Sequence, residues 1–470
     1  MTTSNHFRVL LWTSVAALLA LLVTVSAAEK PAQAAYPGEN GKFLYCGEVD
    51  LDGPCQIFSN NPDGSDGMQL TSLPLDVYPG DTDPESSPDG SKIAFSRATY
   101  TYRDVGGGAT EEIYTQDIYV MNADGSGLRE IADDPALDSG PAWSPDGSKI
   151  AFVSDRDATV GATSYDIYVT NADGTGEPTR IMNQPGVESG LNWSPDGSKL
   201  LYVSTADTPA FPNPGEDTEI YVINPNGSGV VSRLTDNTAY DSTPDWSPDG
   251  KQIAFSSTRD GKSAIFKMNA DGSGQTKIDY QAPCIDPQDF DSPRCIGDGY
   301  PVWSPDGTKI AFLRTMRDFG QYYDVFLTMN PDGTELSRTF SIVALSGFDW
   351  APKDTAPPKV TSTSPKANAT EIAPTANVRA TFSQDMDGST IDGTTFQLFK
   401  KGTTTQIAAQ VSYNADTDTA KLDPTKNLSR GVAYKAVVST GAKDVEGNRL
   451  DQDDSTSGFQ QMRWFFRVDN

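Results

Sequence analysis

Five carboxylic acids recur at one place in this chain. Asp81, Asp138, Glu188, Asp241 and Asp298 each stand five residues before a tryptophan, or its equivalent, in a repeated segment, and the sixth equivalent position is Leu345. Carboxylates gathered at the mouth of a channel could hold a cation through oxygen ligands or receive a basic side chain from a partner. The competing assignment is local, with each acid bonding to its own turn or to neighbours such as Ser139 and Ser242. Two acids at a set separation are also what a glycoside hydrolase needs. Here, however, the acids follow the repeat instead of forming an odd pair, and no SxDxGxTW box is present.

Other residue types narrow the chemistry. The only histidine is His6, so past the first residues a Ser-His-Asp triad, a Cys-His dyad or a histidine-bound zinc is excluded. No GxSxG elbow occurs either. The cysteines form two close pairs, Cys46/Cys55 and Cys284/Cys295, without a CxxC, which favours two local disulfides in an oxidising compartment over a metal site. Arg156-Asp157, Arg259-Asp260 and Arg317-Asp318 read as exposed loop salt bridges. Tyr100, Tyr102, Tyr322 and Tyr323 suit a partner or glycan surface. No cofactor is expected. The one candidate is calcium at Asp416, Asp418, Asp444, Glu446 and Asp451, whose spacing matches no EF-hand loop and reads better as solvated turns.

The elements that position these residues are repeats. WSPDG occurs at 143–147, 193–197, 246–250 and 303–307, with a serine variant at 86–90 and a degenerate copy at 36–41. An N-x-D-G turn follows an apolar strand at 61–64, 122–125, 171–174, 224–227 (with Asn226 for Asp), 269–272 and 330–333. Proline presets such turns, Asp bonds the local backbone and Gly takes the positive φ. Between them lie strands of period two, such as Lys149-Ile150-Ala151-Phe152-Val153 and Asp166-Ile167-Tyr168-Val169. Each repeat reads as four antiparallel strands that can bury both faces only by stacking radially, with the tryptophans between blades. The expected fold class is all-β, a six-bladed β-propeller over 35–350. Phe348-Asp349-Trp350 would supply the inner strand missing from the first blade and close the ring. These WSPDGxKIAF…IYxxNxDG units resemble the WD-type propeller repeats of the TolB family. That resemblance implies protein–protein contact in the cell envelope, but no α/β domain comparable to TolB's precedes the repeats.

Residues 351–358 read as a stiff Pro-rich linker. After them, alternating segments at 377–382, 395–399, 406–413, 433–439 and 463–468 point to an Ig-like β-sandwich over 359–470. The run from Ser362, with LSRGVAYKAVVSTGAKDVEGNRL, resembles bacterial Ig-like domains of the SbsA type, which implies a spacer or surface-display module.

Arg8, the apolar stretch 9–25 and the small-x-small sites 26–28 and 32–34 read as a secretory signal peptide over 1–34. No second apolar span exists, so the mature chain is expected to be secreted or extracytoplasmic, at the periplasm or cell surface. The net charge is −28, or −29 once Arg8, Glu29 and Lys30 are removed. Such a surface repels nucleic acid and favours basic proteins or peptides, an envelope component among them. Tight WSPDG and NxDG turns tile one face of the ring, while the variable connections 98–116, 155–165, 205–218 and 279–299 lie on the other. The expected function is therefore a non-catalytic binding scaffold that works through the loop-bearing face. The alternatives are a carbohydrate-active enzyme using propeller carboxylates, and a structural surface-layer or adhesion component.

Overall fold

The computed structural model describes residues 38–469, apart from 49–52, 75–79, 107–108, 133–134, 159–164, 184–185, 206–217, 280–293, 319–320, 343–346, 446 and 454–457. The expected signal peptide, Leu345, Cys284 and Glu446 lie outside the described residues. Among those described there is no α-helix, as the absence of any apolar 3.6 period demands.

The propeller strands fall into six four-stranded units, called blades here. Blades 2 to 6 begin with the inner strands Gly80–Ser86, Asp138–Trp143, Glu188–Trp193, Asp241–Trp246 and Arg294–Trp303. Each is followed by a second strand (Lys92–Gly106, Lys149–Ser154, Leu200–Ser204, Gln252–Ser257, Ile310–Asp318), a third strand and a shorter outer strand. Blade 1 takes its inner strand from the far end of the propeller: Phe348–Pro352 pairs with Asn40–Glu48, setting Phe43 opposite Trp350. A bridge between Cys55 and Gly80 joins blades 1 and 2 into one eight-stranded sheet. Phe43, fully buried, stacks on Phe326 of blade 6 at 5.5 Å and meets Trp350 at 4.8 Å, so the closing strand is held by aromatic packing as well as by its ladder.

The turn chemistry explains why every blade repeats. In 143–147, Asp146 Oδ1 accepts from Ser144 Oγ and from the Ser148 amide, while Gly147 sits at φ 68°. The lysine leading the second strand then donates to the asparagine that opens the next turn: Lys92 to Asn122, Lys149 to Asn171, Lys199 to Asn224 and Lys309 to Asn330, at 2.7–3.1 Å. This face binds itself. Its glycines also allow blades to approach, because a Cβ on Gly125, Gly227 or Gly272 would lie 2.6–2.7 Å from a carbonyl oxygen of the preceding blade. Gly227→Ala combines that clash with a left-handed φ of 71°, and is expected to cost about 2 kcal/mol in urea unfolding. A loss under half that would show that the blades can spread.

The Ig-like unit is a sandwich of Val360–Ser364, Val378–Phe382, Thr419–Pro424 and Ala409–Asn414 over Phe396–Lys400, Ala433–Val438 and Met462–Arg467. Phe396, Leu398, Tyr434, Trp464 and Phe466 fill its core. Its linker is anchored. The closing propeller strand runs on to Pro352, the Thr355 amide donates to Asp89 O at 2.9 Å, and Asn448 Nδ2 donates to Asp354 O at 3.0 Å. Asp89 belongs to a serine-variant WSPDG turn, so the sandwich is tied to the turn face. Asp444 accepts from Gln384 and Asn448, and Asp451 accepts from the Gln460 amide. Asp385 and Asp418 share the Tyr413 hydroxyl at 3.2 and 3.0 Å, and burial helps push Asp418 up to about 6.

Candidate functional site

Each inner strand starts on the loop-bearing face, and its recurring acid lies there. The five acids are buried, none more than 1% exposed, and none lines the central cavity. Four are held by arginines of the same blade, Arg97 and Arg314 from the second strand and Arg156 and Arg259 from two residues past its end. Arg97 grips Asp81 with two bonds of 2.6 and 2.8 Å, and Arg314 grips Asp298 with 2.7 and 2.6 Å. Arg156 Nη2 reaches Asp138 at 2.8 Å and Arg259 Nη2 reaches Asp241 at 2.9 Å. Arg156 and Arg259 were expected as exposed loop pairs with the following aspartate. They turn inward instead, because Ser154 and Ser257 accept from their Nε and aromatic faces lie beneath the guanidinium. Arg156 sits 5.2 and 4.7 Å from the Phe152 and Tyr168 rings, and Arg259 5.2 and 4.8 Å from those of Phe255 and Phe266. Cation–π contact and a charged hydrogen bond together offset the cost of burying the pair. Neither the ring at the mouth nor the simple turn cap describes these four acids.

Glu188 is different. Its Oε1 accepts from Ser204 Oγ at 2.9 Å, and among the described residues no arginine reaches it. Burial, with the nearby Asp166 charge, raises its carboxyl from the ordinary 4.5 to about 7.

The central cavity is built by other residues of the same strands. Every inner strand has a residue in left-handed conformation at one position: Asp83, Gly140, Gly190, Thr243, Tyr300 and Gly347, with φ between 47° and 76°. In blades 2 to 6 the ladder slips there, as between Ser139 and Ala142. These are β-bulges, which re-aim the side chains on either side. Three of the six carry a side chain, a costly conformation that tends to mark functional positions.

Just before the tryptophan position, Glu85, Asn192, Asp245 and Asp349 reach across to the next blade. They accept from the amides of Trp143 (3.3 Å), Trp246 (3.2 Å), Trp303 (2.7 Å) and Ser86 (2.9 Å) respectively. The last bond runs from blade 1 to blade 2 across 263 residues of sequence. Ala142 and Val302 leave two steps without such a latch. Sequence reasoning missed these residues, although a polar side chain beside a buried tryptophan was the available signal.

The cavity thus carries the carboxylates of Asp83, Glu85, Asp245 and Asp349, and among the described residues no Lys, Arg or His lines it. Burial pushes Asp83, Asp245 and Asp349 upward, Asp245 to about 8. Asp83 Oδ2 accepts from Thr82 Oγ1 at 3.0 Å. Its carboxylate stands over Gly347, where a Cβ would meet Oδ1 at 3.0 Å. On the same face Tyr240 and Tyr300 are each 41% exposed. Tyr100 is also exposed and packs on Tyr114 at 4.9 Å, while Tyr323 lies within blade 6. Cys46 and Cys55 form a disulfide with Cα atoms 5.6 Å apart. Cys295 is disulfide-bonded too, its expected partner being outside the described residues.

Comparison with known proteins agrees with this architecture. Residues 210–299 match the TolB beta propeller domain, and residues 354–468 match the bacterial Ig-like domain. The chain joins a TolB-like propeller to a bacterial Ig-like domain. An uncharacterised protein of Agrobacterium fabrum is 31% identical over 133 residues, covering 27% of this chain and 41% of that one. A TolB homolog of Chlorobium luteolum is 29% identical over 166 residues, 34% of this chain and 33% of its own. The match therefore spans less than half of either relative. The crystal structure of TolB from Acinetobacter baumannii aligns over 68% of both chains, at 19% identity and a TM-score of 0.49.

Proposed function

We infer that this chain is an extracytoplasmic, non-catalytic binding protein whose TolB-like propeller takes a basic segment of a protein partner into its central channel. One observation carries the reading: four carboxylates face a channel that no cationic side chain among the described residues lines. Carboxyls raised by burial are acids whose charged form lacks a counterion, and an incoming Lys or Arg would supply one. Three features favour entry from the loop-bearing face. The turn face saturates its own polar groups, the Ig-like domain is tied to that side, and Tyr240 and Tyr300 stand exposed on the other. The apolar stretch 9–25 and the disulfides fit an oxidising compartment outside the cytoplasm.

Asp83→Asn is the discriminating variant, because asparagine tolerates the left-handed backbone while removing the charge. The test is capture from an envelope extract by residues 35–470 beside this variant, each checked for folding by near-UV circular dichroism. A partner held by the native protein and lost by the folded variant is the expected result. Affinity should also rise as pH climbs through about 8, since binding a cation ionises Asp245. Equal capture by both proteins would remove the channel from the account. No partner, together with cleavage of an offered polysaccharide, would replace the binding reading by the carbohydrate-active one.

A further inference from the structure

The Ig-like domain carries a face whose charge runs against the rest of the chain. Residues 359–470 hold 13 Lys and Arg against 13 Asp and Glu, so the remainder bears the whole net charge of −28. Cations gather on the outer side of the sheet formed by Phe396–Lys400, Ala433–Val438 and Met462–Arg467. Strand alternation sends Leu398, Tyr434, Trp464 and Phe466 into the core and every second residue outward. Across the middle of that face the register aligns Phe399, Lys435 and Phe465. The row on one side ends in Arg463, opposite Val437. On the other side Ala433 lies between Arg467 and Lys401, whose amide donates to Ala433 O at 2.9 Å. Lys435 Nζ stands 4.5 Å from the Phe399 ring centre, and Lys401 Nζ 5.2 Å from that of Phe465. Each ammonium is thus held over a ring. Lys401, Arg463, Phe465 and Arg467 are all exposed. No acid occurs in these three rows, and among the described residues none of the four cations pairs with a carboxylate. In the propeller, by contrast, Arg97, Arg156, Arg180, Arg233, Arg259 and Arg314 all do.

We propose that this face binds an anionic polysaccharide, whose charged groups pair with Lys401, Lys435, Arg463 and Arg467 while one sugar ring lies on Phe465. Four like charges on one small face repel one another, and an anionic chain laid across them removes that cost. The outline fits a chain of sugars better than a folded partner. Strands about 4.8 Å apart, with outward positions about 6.8 Å apart along each, give a patch of roughly 10 by 14 Å. A stable protein interface needs about 800 Å² from each partner and an apolar centre, whereas Lys435 is the centre here. A second copy of this chain is disfavoured further, because both copies bring the same acidic propeller. The sheet also holds its cations in place before contact, so little ordering is lost on binding. This site lies on the other domain from the channel and does not rest on the reading given for it.

The test is calorimetric titration of residues 35–470 with an alginate hexasaccharide, each of whose sugars carries a carboxylate, at low salt. Saturable binding with a Kd of about 0.1 mM is expected, weakening at least about ten-fold in roughly 0.5 M salt as exposed charge pairs are screened. Cellohexaose, equal in length but uncharged, should not bind. Lys401→Glu combined with Arg463→Glu reverses two exposed charges and should weaken binding at least about ten-fold. Phe465→Ala should weaken it about three-fold or more while leaving the salt dependence as it was, since a ring and no charge is lost. Lys421→Glu, on the opposite sheet and beside Asp423, should titrate like the native protein. Each variant is first checked for folding by near-UV circular dichroism. Equal binding of a glutamate hexapeptide would show that any chain of carboxylates suffices and would overturn the polysaccharide assignment. An unchanged affinity in the folded double variant, or no saturation of the native protein, would overturn the site itself.

Discussion

Replacing Arg314 by methionine should cost the propeller about 3–5 kcal/mol in urea unfolding, the range for removing one member of a buried ion pair. Arg314 is 8% exposed at its side chain and holds both oxygens of Asp298. Asp298 has another acid beside it. Asp279 is buried, and burial together with the Asp298 charge pushes it up to about 7. Without the guanidinium, two carboxyls would share a dry site whose nearest remaining cation is Lys277, 3.8 Å from Asp279. The cost comes from the stranded charge more than from the lost bond, so a second change should recover much of it. Asp298→Asn combined with Arg314→Met is expected to be more stable than Arg314→Met alone. A single variant losing under 1 kcal/mol would mean that water enters this interface and that the arginine pairs are ornamental to stability.

Glu188 should act in the opposite sense. Its carboxyl is raised in the folded protein from 4.5 to about 7, so the folded state retains a proton that the unfolded chain gives up between those values. Its contribution therefore falls as pH rises from about 4.5 to about 7 and stays lost above that. The loss is at most about 3 kcal/mol for a shift of this size. Asp166, which raises Glu188, has Arg180 as its own partner, and Ser204 is the remaining polar contact among the described residues. Glu188→Gln removes the titration and keeps the length. Relative to the native protein it should gain about 2–3 kcal/mol between pH 4.5 and pH 8. Asp83, Asp245, Asp279 and Asp349 titrate in both proteins, so the difference between the two curves isolates Glu188. Parallel curves would mean that Glu188 already has a counterion.

The two predictions contrast an acid gripped by an arginine with one that no arginine reaches among the described residues, and that contrast was half legible in advance. The acids and the Arg-Asp pairs both stood out by repetition, yet they were assigned to separate duties. Asp138 and Arg156 are 18 residues apart, and nothing local forces them together. They meet because Asp138 lies opposite Ser154 in the antiparallel ladder and Arg156 folds back over that end. The bulge explains the other error. Counting back from Trp143 by strict alternation puts the acid on one face, but the extra residue between Ser139 and Ala142 reverses which side everything before it presents. The acids thereby turn into the blade, and Asp83, Glu85, Asp245 and Asp349 take the channel.

By itself, the sequence determined what short-range chemistry can determine: the tight turns, the strands of period two, the repeat length, and the order of propeller and sandwich. Asp146 finds Ser144 and Ser148 within two residues on either side, so that geometry is written where it is used. The return of Phe348–Pro352 to blade 1 was also readable, because an inner strand lacking a blade and a blade lacking an inner strand stood at opposite ends. Only the tertiary structure decided which carboxylates an arginine holds and which face the channel. Those outcomes depend on burial, on bulge parity and on side chains tens to hundreds of residues apart meeting across a blade boundary, and none of these is a property of a local stretch of chain.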